Sequence, residues 1–572
     1  MPLVHINRLI AMMHRLLLTI LVCSLSSSLP AQGHEHAASQ SVVPPRSATQ
    51  GAGSGPTLFE TLGTYGRPLG KVTPMAQRWF DQGLRLTWAF GHADAVRSFR
   101  TGLAVDSTCA MCWWGVAWAS GPYLNDPASD SLRLTEAYAA ARRAQALAGS
   151  ARPVDRALID AMVTRYEPVP VTEHRAARDS AYAQEMTMVA ARFPADDDVQ
   201  ALLGEARLLV AEWDQLYSRD RRATTHTAWA LLPFETVLSR NLRHPGACHL
   251  YIHATEAGPE PGKAERCADQ LGDGMPGASH ILHMPSHVYH RVGRWGDAVR
   301  ANQRAVMADQ YGVAGGVPGV YPLHNLAMLV GGAVMDGQRA VSLDALRAMA
   351  RQSPSDEVLL MVALARFGEW SEIRAMRPRT DNPVATAWSA VAFGLALLDT
   401  AQIAPARAQL GLTDALLTSL RGPSSETTRD SSAVQRAAQT RHRIVMARGI
   451  LAGELMAARG QVDSAVAALE EAVAAEDSLE YEEHDLWSIP PRHVLGGLLL
   501  DAGRAAQAER VLRADLVKRP RNGWALRGLQ QALEGQGKAD EAARVQREFE
   551  TAWSRADSWL PGPRYRPGQR VR

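Results

Sequence analysis

Two stretches of this chain concentrate imidazole at helical spacing. In "HPGACHLYIHATEAG", His249, His253 and Glu256 stand at i, i+4 and i+7; in "PGASHILHMPSHVYHRVGRW", His280, His283, His287 and His290 follow at steps of three, four and three. With His244, residues 244–290 hold seven of the eighteen histidines. On helices the first set shares one stripe, and the second falls within an arc of about 80° at 100° per residue. Two facing stripes of neutral imidazole and one carboxylate suit Zn²⁺, Fe, Cu or Ni. The expected ligands are His249, His253, Glu256, His280, His283 and His287. Each imidazole also needs an acceptor behind its other nitrogen. Asp297 and Asn325 are candidates for that role, His290 is a candidate pocket residue, and His324 of "YPLHN" is a candidate ligand or neighbour.

The pattern is not HExxH, because no Glu follows His249. Glu256 is therefore the one candidate catalytic group, as ligand or as general base. A pair of metals bridged by Glu256 is a further reading, although bundle di-metal sites usually offer more carboxylates. The competing account is a structural histidine network, with Tyr251 and Tyr289 as partners. Pro285 cannot donate to the Ile281 carbonyl, so a kink is expected inside the second histidine helix.

The elements that must position these residues are helical. The 572 residues are 46% hydrophobic, with 6% aromatics, and show no long alternating β-branched runs, which reads as all-α. Lys+Arg total 61 against 59 Asp+Glu, a net charge of +2, so there is no broad basic footprint for nucleic acid. A repeat can be counted from Trp79, Gly83, Ala95 and Phe99, four, twelve and four apart. It returns at Gly453, Gly460, Ala465, Leu469 and Ala472, again at Gly496, Gly503, Ala508, Leu512 and Pro520, and at Leu529, Gly537 and Ala542. Small residues let the two helices of a unit approach and large ones fill the gap to the next, which predicts a helical-repeat solenoid resembling tetratricopeptide repeats. "GRWGDAV" (293–299) fits the turn of such a unit, making 279–292 its first helix, the one that lines the inner surface.

The expected organisation is a signal peptide (1–33), a flexible tether (34–56), an irregular repeat region holding the histidines (57–350), connecting helices (351–440), C-terminal repeats (441–560) and a basic, solvated tail (561–572). Export to the periplasm or the exterior follows from the first of these, with no transmembrane anchor in the mature chain. Cleavage after Gly33 would expose His34 and His36, a Cu²⁺- or Ni²⁺-binding amino terminus or an incidental pair in a tail. Cys109, Cys112, Cys248 and Cys267 are compatible with disulfides in an exported chain, most simply 109–112 and 248–267. Two small buried residues on a helix is the alternative for the CxxC.

The segments "RWFDQGLRLTWAFGHADAVRSFRTGLAVDSTCAMCWWGVAWASGPYLN", "HPGACHLYIHATEA", "HILHMPSHVYHRVGRW" and "YPLHN" resemble a group of exported bacterial tetratricopeptide-repeat proteins, with motifs HPGxxHxYIHxxEA and HMPSHxYxRxG, over most of residues 75–550. The resemblance implies that His92, Asn125, His249, His253, Glu256, His283, His287, His324 and Asn325 belong to the group's signature. It implies no reaction. The chain departs from the group at "YEEHDLWSIP", where Glu482, Glu483 and His484 cannot be assigned by analogy. No GxSxG, phosphate-binding or dinucleotide-binding glycine motif occurs, and "GVAGGVPGV" (312–320) reads as a loop or a lid over the site. Three readings remain: a scaffold for a protein or peptide partner in the cell envelope with a built-in metal; a hydrolytic or oxidative metalloenzyme; and a Cu or Ni handling protein.

Overall fold

The computed structural model describes residues 57–568 apart from 219–220, 378–380, 421–430 and 484–486. The expected signal peptide, the tether with His34 and His36, and the last four residues lie outside these. All described residues belong to one unit, Ala52–Arg572.

Helices pair in order along the chain: Pro74–Trp88 with His92–Val105, Ala110–Ser120 with Ser131–Leu147, Pro153–Thr164 with Arg175–Arg192, and Asp197–Leu216 with Thr225–Arg240. Pro245–Glu256 then pairs with Glu265–Gly274, Ser279–His283 and Pro285–Val292 together with Trp295–Val313, and Pro322–Met335 with Arg339–Gln352. Glu357–Arg366 pairs with Trp370–Ala375, Pro383–Leu398 with Ile403–Ser419, Ser431–Ala457 with Val462–Asp477, Pro491–Asp501 with Ala505–Lys518, and Gly523–Glu534 with Ala539–Ala552. Among the described residues only two isolated bridges have β pairing. This is an all-α, tetratricopeptide-like solenoid.

The small-to-large rule operates as the spacing predicts. A Cβ on Gly83 would stand 2.5 Å from the Phe99 ring, one on Gly453 2.6 Å from Leu469, and one on Gly496 2.7 Å from Leu512. Each glycine thus sets how closely its two helices pack. Among the described residues two large apolar cores result, one from Leu62 to Val317 and one from Trp295 to Tyr565, with a small third at Leu282, Ala305 and Ala308, and all three draw on the helix Trp295–Val313.

The array also returns on itself. The Trp295 indole N–H donates to the Pro520 carbonyl (2.9 Å) and that of Trp524 to the Val334 carbonyl (2.8 Å). Gly293, at φ +76°, ends the second histidine helix with that same Pro520 carbonyl against it, 2.3 Å from where a Cβ would lie. No side chain fits there, and few would adopt the dihedral.

The C-terminal tail is not the solvated terminus expected from its arginines. Residues 562–565 are buried. Arg564 pairs with Glu454 (2.8 Å) and Asp501 (3.0 Å), and Gln531 donates its amide to the Pro561 carbonyl (2.7 Å). The acids on neighbouring helices, invisible from the tail's own sequence, draw it in.

Candidate metal centre

The helix Pro245–Glu256 is fixed at both ends. His244 caps it by accepting the Ala247 N–H on Nδ1 (3.1 Å), while its Nε2 faces Asp198 Oδ1 (3.3 Å), where Arg67 and Tyr65 also converge. Cys248 is bonded to Cys267, tying this helix to Glu265–Gly274 with Cα atoms 5.2 Å apart. Cys109 is bonded to Cys112 at the start of Ala110–Ser120. The second histidine segment divides at Pro285 into Ser279–His283 and Pro285–Val292, the proline standing at a helix start where its missing N–H costs nothing.

The other nitrogen of each ring settles which atoms are available. His249 Nδ1–H donates to the Trp88 carbonyl (2.6 Å), so its Nε2 carries a lone pair, 3.0 Å from His280 Nε2. His253 Nδ1 donates to Glu256 Oε1 (3.2 Å) and His287 Nδ1 to Glu256 Oε2 (2.6 Å). His283 Nδ1 donates to Asn302 Oδ1 (3.0 Å), whose amide is oriented by its own N–H bond to the Ala298 carbonyl (2.9 Å). With both rings neutral, His283 and His287 would direct Nε2 lone pairs at each other, 2.8 Å apart. Two lone pairs do not bond, so a proton or a cation must lie between them.

These residues form three groups, each with its candidate ligand atoms within 4.8 Å of one another: His249, His253 and His280; His283, His287 and His324; and His253, Glu256, His287 and Glu483. Clusters of this kind are ligand-like for a transition metal. Tetrahedral ligands at bonds of about 2.0–2.1 Å stand about 3.3 Å apart. The 2.6 Å contact between His287 and Glu256 is shorter, and is that of a charge-assisted hydrogen bond. Glu256 thus meets one ring of each all-histidine group at hydrogen-bond distance, and it is also among the candidate ligands of the third group.

Burial pushes the Glu256 carboxyl up, but His287 and the hydrogen bonds it accepts hold it below its ordinary range. Burial likewise opposes the His287 imidazolium, yet Glu256 and Glu483 outweigh it and raise its pKa to about 9. A proton can hold the place between His283 and His287 until a metal ion displaces it. His249, His280 and His283 are pushed well below the usual imidazole value, foremost by burial and then by neighbouring imidazoles. They are neutral, as ligands must be.

Other expected residues stand elsewhere. Asp297 pairs with Arg294 (2.7 Å) and with Arg300, a partly exposed ion-pair set that reaches no imidazole. His290 packs on Trp295 (ring centroids 5.5 Å) and belongs to none of the three groups. Asn325 gives its amide to Asp309 (2.8 Å). His92 and Asn125 stand one residue back from the first group: His92 stacks on Tyr123 at 3.8 Å and lies 6.0 Å from the Phe90 ring, Asn125 hydrogen-bonds the Tyr321 hydroxyl, and the two tyrosine hydroxyls are 3.0 Å apart. Tyr251 and Tyr289 turn to Glu235 and Asp269, so neither supports a purely structural histidine network.

Sequence reasoning missed Asn302, Tyr481 and Glu483. Asn302 carried a signal, a polar residue on the apolar face formed by Ala298, Ala301 and Ala305. The other two carried none, since they lie in a distant part of the chain. The Tyr481 hydroxyl donates to Glu256 Oε2 (2.8 Å), and Glu483 Oε2 is 3.2 Å from His324 Nε2. Glu482 instead pairs with Arg443 (2.5 Å), and His484 lies outside the described residues.

Phe90 was also missed, and its signal was positional. Gly293, Gly337, Gly460, Gly503 and Gly537 share a left-handed turn two residues before the second helix of a unit; Phe90 occupies the corresponding place at φ +59°. Its ring lies 4.3 Å from that of His249 and 5.1 Å from that of His280. Ala401, at φ +56°, occupies the same place before Ile403–Ser419, so the left-handed turn belongs to the repeat and what is particular to Phe90 is its ring against the histidines. Phe90→Gly is expected to be less destabilising than Phe90→Ala by about 1 kcal/mol, because alanine keeps the left-handed penalty that glycine escapes while both lose the ring. Denaturant unfolding of both variants checks this, and an alanine variant as stable as the glycine one would refute the strain account.

No family model and no curated protein matches the chain. Similar solved structures include the human IFIT1 dimer with m7Gppp-AAAA, at 11% identity over 84% of this chain and 91% of that one, with a TM-score of 0.30. The P58(IPK) TPR domain is 11% identical over 83% and 92%, TM-score 0.18, and the APC/C hetero-tetramer Cut9-Hcn1 11% over 84% and 94%, TM-score 0.22.

Proposed function

We propose that this chain is an exported helical-repeat scaffold built around a resident transition-metal centre. The observation that carries the reading is the gathering of buried His and Glu side chains into three groups whose candidate ligand atoms lie within 4.8 Å of one another, with the Nδ1 atoms of His283 and His287 already held by Asn302 and Glu256. Zn, Fe, Cu and Ni all suit imidazole. Support for an oxidising compartment comes from the two disulfides, which persist outside reducing cytosol. No described helix is long and apolar enough to cross a membrane. As a repeat scaffold, the protein would hold a peptide or protein partner of the cell envelope on its inner, concave surface.

A second reading, a metal-dependent enzyme, is favoured by one edge of the centre. His324 and Glu483 are 14% and 13% exposed, whereas His283 and His287 are sealed. A transition metal bound at this edge would supply Lewis acidity and a water acidified towards neutral pH. Glu483 Oε2 would hold or pass the proton, and Tyr481, with Glu256, would keep the imidazoles in register.

The test is elemental analysis of protein purified without a polyhistidine tag, in wild type and in His253→Ala/His287→Ala. Stoichiometric metal in wild type and its loss in the variant, with helical circular dichroism retained, is the expected result. Metal content unchanged by the substitutions would refute the site.

A further inference from the structure

Resting on that reading, we propose that the centre holds two transition-metal ions at once, in two pockets that share no ligand: His249, His253 and His280 in the first, and His283, His287 and His324 in the second, with Glu483 beside it.

The argument is one of lone pairs. An imidazole with its Nδ1 proton committed has one lone pair and serves one ion. Four rings are committed in this way: His249 to Trp88, His253 and His287 to Glu256, and His283 to Asn302. Their Nε2 atoms do not converge on one point. Those of His249 and His280 approach to 3.0 Å, and those of His283 and His287 to 2.8 Å. The two all-imidazole groups have no member in common. His280 Nδ1 makes no hydrogen bond, so nothing holds that ring's proton away from Nε2; an ion there would keep it on Nδ1.

Glu256 joins the pockets without bridging the ions. Its Oε1 faces His253 of the first and its Oε2 faces His287 of the second, so each carboxylate oxygen accepts an Nδ1–H, with the Tyr481 hydroxyl added to Oε2. The usual objection to a dinuclear site, too few carboxylates, applies to bridged pairs. Here nitrogen fills both sets and the single buried acid orients them.

The pockets differ in access. The first is walled by Phe90 and by Tyr321, whose ring is 5.4 Å from His280, and both residues are held in left-handed backbone. Its three histidines are at most 3% exposed. The second ends at His324 and Glu483, which border solvent. The first ion is therefore slow to exchange, and the second is the one a solution ligand reaches.

The experiment strips the full, processed chain with a chelator, reloads it with Zn²⁺, and counts ions per chain after gel filtration. Wild type is expected to hold two, His249→Ala/His280→Ala one, and His283→Ala/His324→Ala one. Release to a chromophoric chelator should be biphasic, and His324→Gln, a milder change for the case where a double variant fails to fold, should remove only the fast phase. One ion in wild type, lost in both double variants, would overturn the two-pocket inference and leave the metal reading intact. A single-phase release from wild type would overturn it too. No ion in wild type would sink both.

Discussion

Glu256→Ala is expected to lower both stability and metal affinity more than the loss of any exposed ion pair. Glu256 is 0% exposed and accepts from His253, His287 and Tyr481. Removing it leaves three buried donors without their acceptor and a raised-pKa imidazolium without its nearest counter-charge. Breaking a buried pair from one side costs about 3–5 kcal/mol, and losing the acceptor behind a metal-bound imidazole costs about 10- to 100-fold in affinity. Glu256→Gln should rescue little, because one amide N–H would then face an Nδ1–H, donor to donor. Urea unfolding and Zn²⁺ titration of both variants measure this; a loss under about 1 kcal/mol with unchanged affinity would refute the role assigned to the carboxylate.

The pH dependence of the chelator-stripped protein follows from the same pair. Glu256 is held below its ordinary 4.5, so its contribution is present above that pH and is lost as pH falls. His287 is raised from 6.5 to about 9, so its contribution is complete below 6.5 and disappears as pH rises through 9. The pair therefore supports the stripped fold best between those two ordinary values. Metal binding must displace the His287 proton, and affinity is expected to rise with pH up to about 9.

Asp515→Ala is expected to cost a similar amount, about 3–5 kcal/mol, far from the metal. Asp515 is 0% exposed and accepts from His493 Nε2 (2.7 Å), Arg519 (2.8 Å) and Asn522 (3.0 Å). Burial pushes its carboxyl up, but His493 and Arg519 hold it well below the usual range. Arg366 donates to His493 Nδ1 (2.6 Å) and Arg519 also to Glu476 (2.5 Å), so one truncation disturbs a network spanning four helix pairs. In a repeat array each unit leans on its neighbours, and this loss should propagate along the C-terminal units. The denaturant midpoint and limited proteolysis read it directly. Ion content should be unchanged, which separates this effect from that of Glu256; a midpoint equal to wild type would show the network to be dispensable.

Much of the fold was legible because it is local. Gly83 under Phe99, Gly453 under Leu469 and Gly496 under Leu512 are contacts within one helix pair, and the residue spacing encodes them directly. The break at Pro285 was legible for the same reason, proline's missing donor acting on its own turn. The histidine stripes were legible as stripes, because 3.6 residues per turn puts i, i+3, i+4 and i+7 on one side of a helix whatever surrounds it.

What the stripes do was decided by tertiary contacts. Two features of helix geometry alone could not say that Glu256 would turn to the Nδ1 atoms, that Asn302 rather than Asn325 or Asp297 would stand behind His283, or that Asp297 would be taken by two arginines. Nor could they place Tyr481 against Glu256, 225 positions earlier, or Glu483 against His324. The sequence by itself determined which side chains share a helix face and how closely paired helices approach, since both depend on neighbours within one or two turns. Only the tertiary structure decided which nitrogen of each imidazole is free, because that depends on the acceptor that the folded array brings to the other.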